Sequence, residues 1–539
     1  MAVLVADEPI EASPRPRRHV AESRSGGNWD LATLAMAAVV AVDLVIGLYY
    51  RFTTTSKLWL DEAQTANIAT FPLRMLPAEL RRDGAPPLYY VLLHFWMWLV
   101  GHSDMDVRAL SGVFAVLTLP VMWWVVRRGF GRVEALGALA MLATSPFAVY
   151  FATETRMYSL VIFFVTAGIG AVMALLARPT VPRALLVGVI TSLLLYTHYW
   201  AFYVLAAAGL WFVYLVVRDQ GVKRRGALFG LVAMAVGGLT FIPWLSSFQY
   251  QHLHTGTPWA SGPSLASTFG WIGGFIGNQS VQAQAFNLHL ELGLIAFLLL
   301  FIFGYAAAPV GRDVLEFRLL GQPRARVLTI TFFVTLAIAY VASRQSNTAF
   351  QPRYASVVFP IAVILVGLGV AALPNRWLRV GAVCAVSVLG LWTTHWGAHV
   401  QRSQAGKLAT VMHATLSPGA VVVVCPDQLG PSLLRYSGRA TYDYVGFPRF
   451  TSPWLVNWVD YKAAVNGASL SGFSKRVTSL AGLSTFYVVW SKGYGVHTTC
   501  ADLVGALTRA SRRPPRVLVG AQKFQYYQSM TLLEYAPHS

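Results

Sequence analysis

Long apolar blocks constrain this chain more than any other feature. Most run about 16–20 residues, close to the ~20 that cross a bilayer as one helix. Eleven such spans are expected: Leu31–Tyr50, Arg108–Val126, Val133–Tyr150, Tyr158–Ala177, Ala184–Thr197, Trp200–Val217, Ala227–Ser246, His289–Ala308, Val327–Ala342, Tyr354–Leu373 and Arg379–His395. The fifth is short and crosses only with its flanks included. A chain of 539 residues that is 55% hydrophobic and 12% charged is too apolar for one soluble domain. It reads as a polytopic α-helical membrane protein.

The formal charge of +19 does not point to nucleic acid. The excess Lys and Arg lies in short loops between apolar blocks, where it sets topology. Residues 1–30 are polar and rich in Pro and Arg, without the apolar core of a cleavable signal, and read as a disordered cytoplasmic tail. Pro86–Gly101 (PPLYYVLLHFWMWLVG) is ambiguous. If it crossed, the loops carrying Arg127-Arg128, Lys223-Arg224-Arg225 and Arg312–Arg326 would all face outside. If it lies flat in the outer interface, they fall inside with the basic tail. Its brevity, its Pro-Pro start and its five aromatics suit an interfacial helix. The expected topology is therefore N-terminus in and C-terminus out, in a multi-pass plasma-membrane protein. Residues 31–398 would form the membrane domain, with 51–107 as its first outer loop.

Residues 399–539 change character. His399–Leu416 looks like an amphipathic connecting helix. Gly419–Cys425 (GAVVVVC) has the pattern of a buried strand, and Phe486–Trp490, Arg516–Gly520 and Met530–Tyr535 read as further strands, with Cys500–Ala510 as a helix. An extracytoplasmic α/β domain is the expectation. Its two cysteines, Cys425 and Cys500, are either a disulfide or two buried thiols.

Several polar clusters interrupt this apolar chain on the expected outer side. Asp61-Glu62 follows the first span; a short helix starting there would keep both carboxylates ionised, and an ionised Asp beside an acceptor hydroxyl can act as general base. A solvated capping pair is the plainer alternative. Arg81-Arg82-Asp83 precedes the Pro-Pro, so Arg82 is a candidate for a lipid phosphate and Asp83 for substrate, against ordinary headgroup contact. Glu154-Thr-Arg156-Met-Tyr158 fills a very short turn between spans, and Arg is suited to bidentate phosphate binding. A local Glu–Arg pair is the alternative there. His198, in Thr197-His-Tyr-Trp200, and Arg353-Tyr354, at the start of the tenth span, complete the candidates; membrane anchoring and snorkelling are their plainer roles. Asp43 lies within the first span and is expected to face the bundle. No metal-ligand spacing and no phosphate-binding glycine loop appears. A divalent ion between Asp61 and Glu154 is conceivable but not indicated, and no cofactor is called for.

The order of W-x-D-E-A at Trp59–Ala63, PPLYYVLLHFW at 86–96, VRALSGVFAVLT at 107–118, SPFAVYFATETRMYSL at 145–160, Thr197-His-Tyr199 and Pro352-Arg-Tyr354 resembles the GT-C glycosyltransferases. Within them it is most similar to glycosyltransferase family 39, which holds protein O-mannosyltransferases and lipid A aminoarabinose transferases. The resemblance covers roughly residues 30–370 and is strongest over Leu58–Leu160. It implies a GT-C fold of many transmembrane helices with outer interfacial helices. It also implies an enzyme that takes a sugar from a polyprenyl-phosphate carrier with inversion. By position Asp61 matches the catalytic acidic residue, Glu62 its usual neighbour and Glu154 a second acidic position. Arg156 and Arg353 match positions associated with the donor phosphate. The family often has Lys or His before Pro-Pro; here Ala85 stands there, so Arg81, Arg82 or Asp83 would substitute. Tyr158, His198, Tyr354 and Asp83 are the expected substrate contacts. The sugar is expected to be mannose, with arabinofuranose second. The acceptor would be an envelope glycan, a lipoglycan or a protein, and the chain's style resembles actinobacterial envelope transferases. A lipid or lipid-linked-sugar transporter is the rival of another class; it predicts inverted repeats, which the sequence does not show.

Overall fold

The computed structural model describes residues 29–257, 260, 262–277, 288–310, 314–318, 321–492 and 499–536. The tail expected over 1–30 lies outside the described residues except for its last two.

Helices dominate from Leu31 to Ala398. Among the described residues seven are long and apolar enough to cross a membrane, and up to nine spans result if each of two bent pairs is one span. The helices Val181–Thr197 and Phe359–Ala372 are shorter, so the expected count of eleven is reached only if they too cross. Two blocks read as straight spans are bent. Arg132–Thr144 and Pro146–Ala152 meet at 54°, and Gly221–Leu239 and Ile242–His254 meet at 69°. Each second segment carries a proline in its first turn, where the missing N–H costs nothing but the preceding helix cannot continue. Elsewhere the bundle closes through small residues. A Cβ on Gly304 would stand 1.9 Å from the Leu365 carbonyl oxygen, which only glycine avoids.

The segment after α1 (Leu31–Phe52) builds three short helices: α2 (Leu60–Ala69), α3 (Leu76–Asp83) and α4 (Leu88–Val100). At 13 residues, α4 is roughly 20 Å long, too short for a ~30 Å hydrocarbon core. It buries Tyr89, Tyr90, Leu93 and Met97 and exposes Phe95, Trp98 and Leu99. That two-sided character fits a helix lying flat. The turn before it uses Gly84 at φ 88, a left-handed cap where a side chain would also strike Thr255. Next come α5 (Asp104–Gly129), α6 (Arg132–Thr144), α7 (Pro146–Ala152) and α8 (Tyr158–Ala177).

After Ala398 the chain forms a five-stranded sheet. Its order is Asp443–Gly446, Val421–Cys425, Phe486–Trp490, Thr531–Tyr535, Arg516–Val519. The first three strands are parallel and the last two join antiparallel. Val421–Cys425 is buried on both faces, as its unbroken valine run requires. Cys425 and Cys500 form a disulfide. The connecting helix is shorter than expected: it begins at Ala405, because Gln401–Ser403 is extended and pairs in parallel with Tyr526–Gln528. The strand Asp443–Gly446 was also missed; at four residues it carries too little pattern to read. Trp59 and Leu60 pack into the core under this sheet, so the segment after α1 and the C-terminal region share one hydrophobic contact.

Candidate active site

The site is built outward from the start of α2. Trp59 is extended and caps the helix, and Asp61 and Glu62 fall in its first turn. There the unpaired N–H groups of the helix end favour negative charge. Consecutive helical residues point about 100° apart, so the two carboxylates leave the helix in different directions.

Glu62 turns inward and is fully buried. Arg108 holds it at both oxygens, with Nε to Oε1 and Nη2 to Oε2 each at 2.7 Å. Arg402 Nη1 donates to Oε1 at 3.2 Å, and the Thr155 amide does so at 3.2 Å. Burial pushes its carboxyl up, but Arg108 and then Arg402 outweigh this and hold it below the usual range. With its oxygens committed, Glu62 is a structural anchor. It was expected among the catalytic residues, and its oxygens are taken up here by protein donors.

Asp61 points the other way and keeps some exposure. Its Oδ2 accepts from Arg353 Nη1 at 2.9 Å. Arg353 enters on the 3-10 turn Pro352–Val357, 292 residues further along the chain. Arg156 comes from the turn between α7 and α8, where Nη1 donates to Thr65 Oγ1 at 2.9 Å and to the Tyr90 hydroxyl at 3.3 Å. The charges of Asp61 and Asp83 both act on it. Asp83 accepts from Tyr90 at 2.5 Å and from Gln64 at 3.2 Å, and burial raises its carboxyl against the opposing pull of Arg156. It thus orients Tyr90 and, through it, Arg156.

Glu154 lies in the same turn as Arg156. Oε1 accepts from the Trp59 indole at 3.0 Å, while buried Oε2 has no hydrogen-bond partner among the described residues. Burial raises its carboxyl to about 7; Arg402 opposes this, and Glu62 and Asp61 reinforce it. The rings of Tyr158 and Tyr354 flank His198 at 5.7 and 5.5 Å. Burial, then Arg156 and Arg353, lower His198 to about 3, so it is neutral. Its Nδ1 accepts from the Trp200 amide.

Most of the expected residues therefore gather at one place, and two do not. Arg82, expected at the donor phosphate, is exposed and pairs with Glu79 one turn back on its own helix at 3.2 Å. Asp43 is buried far along α1 and accepts from Ser387. Three contributors were missed. Arg108 carried a signal, since a cation one turn into a membrane span is costly unless paired. Arg402 and Tyr527 carried none. Arg402 also grips Thr153 through both its carbonyl and its hydroxyl, at 2.6 and 2.8 Å. Tyr527 sets its ring 5.1 Å from Trp59, and the charges of Arg353, Asp61 and Glu154 all reach its hydroxyl. Both belong to the C-terminal region. Among the described residues no group of three or more His, Cys, Asp or Glu could hold a metal.

The family model for dolichyl-phosphate-mannose-protein mannosyltransferase matches residues 84–246. Two solved structures of ArnT from Cupriavidus metallidurans are similar across nearly the whole chain. The apo form has a TM-score of 0.58 at 15% identity, covering 94% of this chain and 99% of that one. The form bound to undecaprenyl phosphate has a TM-score of 0.57 at 15% identity, covering 94% and 98%. The Archaeoglobus fulgidus oligosaccharyltransferase in complex with Zn and sulfate follows, with a TM-score of 0.50 at 12% identity, covering 84% of this chain and 67% of that one. No curated protein matches by sequence. At these identities the likeness is one of fold, and the family match adds the region holding Glu154 and Arg156. The chain is a multi-pass helical membrane protein that shares the fold of these GT-C structures.

Proposed function

We propose that this protein transfers a sugar from a polyprenyl-phosphate carrier to a hydroxyl acceptor at the outer membrane face, with inversion at the anomeric carbon. The observation that carries this reading is the pairing of Asp61 with Arg353 at 2.9 Å, with Arg156 bound to Thr65 on the next turn of α2. A carboxylate and two guanidiniums in one site are what the chemistry needs. The acceptor hydroxyl gives its proton to Asp61 as its oxygen bonds to the anomeric carbon. The bond from that carbon to the phosphate oxygen breaks on the opposite face, and its electron pair leaves with the lipid phosphate. Arg353 and Arg156 stabilise the charge that develops there. A phosphate is a good leaving group, so little acid catalysis is required.

The ion pair adds an order to these events. Arg353 pairs with Asp61. An arriving phosphate competes for the guanidinium and releases the carboxylate to act as base. Neutral His198, between Tyr158 and Tyr354, suits contact with the sugar rather than with a phosphate.

The family match favours mannose as the sugar, with arabinofuranose second. The ArnT likeness includes a form bound to undecaprenyl phosphate, which supports a polyprenyl carrier. The topology proposed is N-terminus in, with the site and the C-terminal α/β domain (399–539) outside and the membrane domain over 31–398. Arg402 and Tyr527 support a role for the outer domain in completing the site. The acceptor is proposed to be an envelope glycan, a lipoglycan or a protein. The test is transfer from labelled polyprenyl-phosphate mannose in membranes. Asp61→Asn should lower the rate by roughly 10²–10⁴-fold, the usual contribution of a general base, with insertion unchanged. Full activity of that variant would overturn the assignment.

A further inference from the structure

A second site lies where the C-terminal region meets the start of α5. An open cleft of about 630 Å³ is lined by Lys57 and Asp104 on one side and by Arg435, Tyr436, Arg439 and Trp454 on the other. Its charge is one-sided, with three cations against a single carboxylate. Asp104 is shared: Lys57 Nζ stands 3.7 Å from it, Arg435 Nε 3.3 Å, and the Tyr436 hydroxyl donates to it at 2.9 Å. Arg435 is also anchored to the His102 carbonyl at 2.6 Å. Arg439 is exposed, with its guanidinium 5.2 Å over the Trp454 ring, and Lys57 is half exposed, 5.0 Å over the Tyr436 ring. Aromatic faces thus hold two cations at the mouth of the cleft without neutralising them.

The depth of this cleft in the fold can be read from its neighbours. Asp104 is the first residue of α5, one of the seven helices long enough to cross a membrane. Immediately before it, α4 exposes Phe95, Trp98 and Leu99. A cationic cleft at the end of a spanning helix, beside an apolar face, sits where headgroups meet water. We propose that the cleft binds the phosphate of an anionic phospholipid headgroup, with Lys57 and Arg439 as its principal ligands. The site is distinct from that of the donor, yet joined to the catalytic loop. The same Tyr436 hydroxyl accepts from the Leu58 amide at 2.7 Å, three residues before Asp61.

The test is native mass spectrometry of the full chain released from detergent with phosphatidylglycerol or phosphatidylcholine. Phosphatidylglycerol should be retained in preference. The double variant Lys57→Ala/Arg439→Ala should weaken that retention about thirtyfold, two surface cations' worth, and leave phosphatidylcholine retention as it was. Arg439→Lys, which keeps the charge, should retain the lipid and so separates lost charge from misfolding. Equal retention of both lipids, or undiminished phosphatidylglycerol on the double variant, would overturn the proposal. Soluble glycerophosphate or an anionic glycan binding as tightly as the lipid would also overturn it, by assigning the cleft to a water-borne anion.

Discussion

Asp61 and Glu62 are neighbours in sequence and opposites in environment. Glu62 faces a sealed pocket where Arg108, Arg402 and two backbone amides take up its oxygens. Asp61 faces a partly open site and meets one arginine, Arg353. Two carboxylates one residue apart thus divide into a buried, saturated one and a partly open one, and the division is made by what each side of the helix packs against. A saturated buried carboxylate fixes geometry; a carboxylate with capacity to spare can exchange partners.

Three substitutions press on that difference. The largest effect should come from Glu62→Gln, which leaves two buried guanidiniums without their counter-charge. Removing one partner of such a cluster costs about 3–5 kcal/mol, so the variant should melt well below the parent in detergent. An unchanged melting temperature would make Glu62 as dispensable to the fold as Asp61 is proposed to be. Glu154→Gln should act on pH dependence instead. Burial raises Glu154 to about 7, so it is neutral below that pH and an anion above it. The anion would repel a donor phosphate, so the donor KM should rise as pH climbs through 7, by about tenfold for charges a few Å apart. Glutamine fixes the neutral form and should flatten that rise. A persistent inflection near pH 7 would assign it to another group. The smallest effect is expected for Arg82→Ala. Its exposed pair with Glu79 contributes at most about 1 kcal/mol, and the donor KM should stay within about twofold. A large rise would restore Arg82 to the donor site.

Much of the site was legible because its residues interrupt apolar sequence. Glu154 and Arg156 stand in a turn between two spans, and Arg353 opens another, so each had to lie near a membrane surface. The motif order from Trp59 to Tyr354 then carried the fold class. Arg82 marks the limit of that signal: a cation beside Pro-Pro looks like a phosphate ligand whether its side chain turns inward or out. The strand at Gln401–Ser403 was hidden because its partner, Tyr526–Gln528, lies more than a hundred residues away and neither segment has a pattern of its own.

The sequence by itself determined that the chain is a helical membrane protein and where its charged exceptions fall, because burying a charge in lipid is so costly that each exception is conspicuous. It also determined a buried strand at Gly419–Cys425, since an unbroken valine run is stable only when covered on both faces. Only the tertiary structure decided which of two adjacent carboxylates is spent on the fold and that Arg402 and Tyr527 reach the site from the far end of the chain. Those outcomes rest on contacts between residues hundreds of positions apart, which no local pattern records.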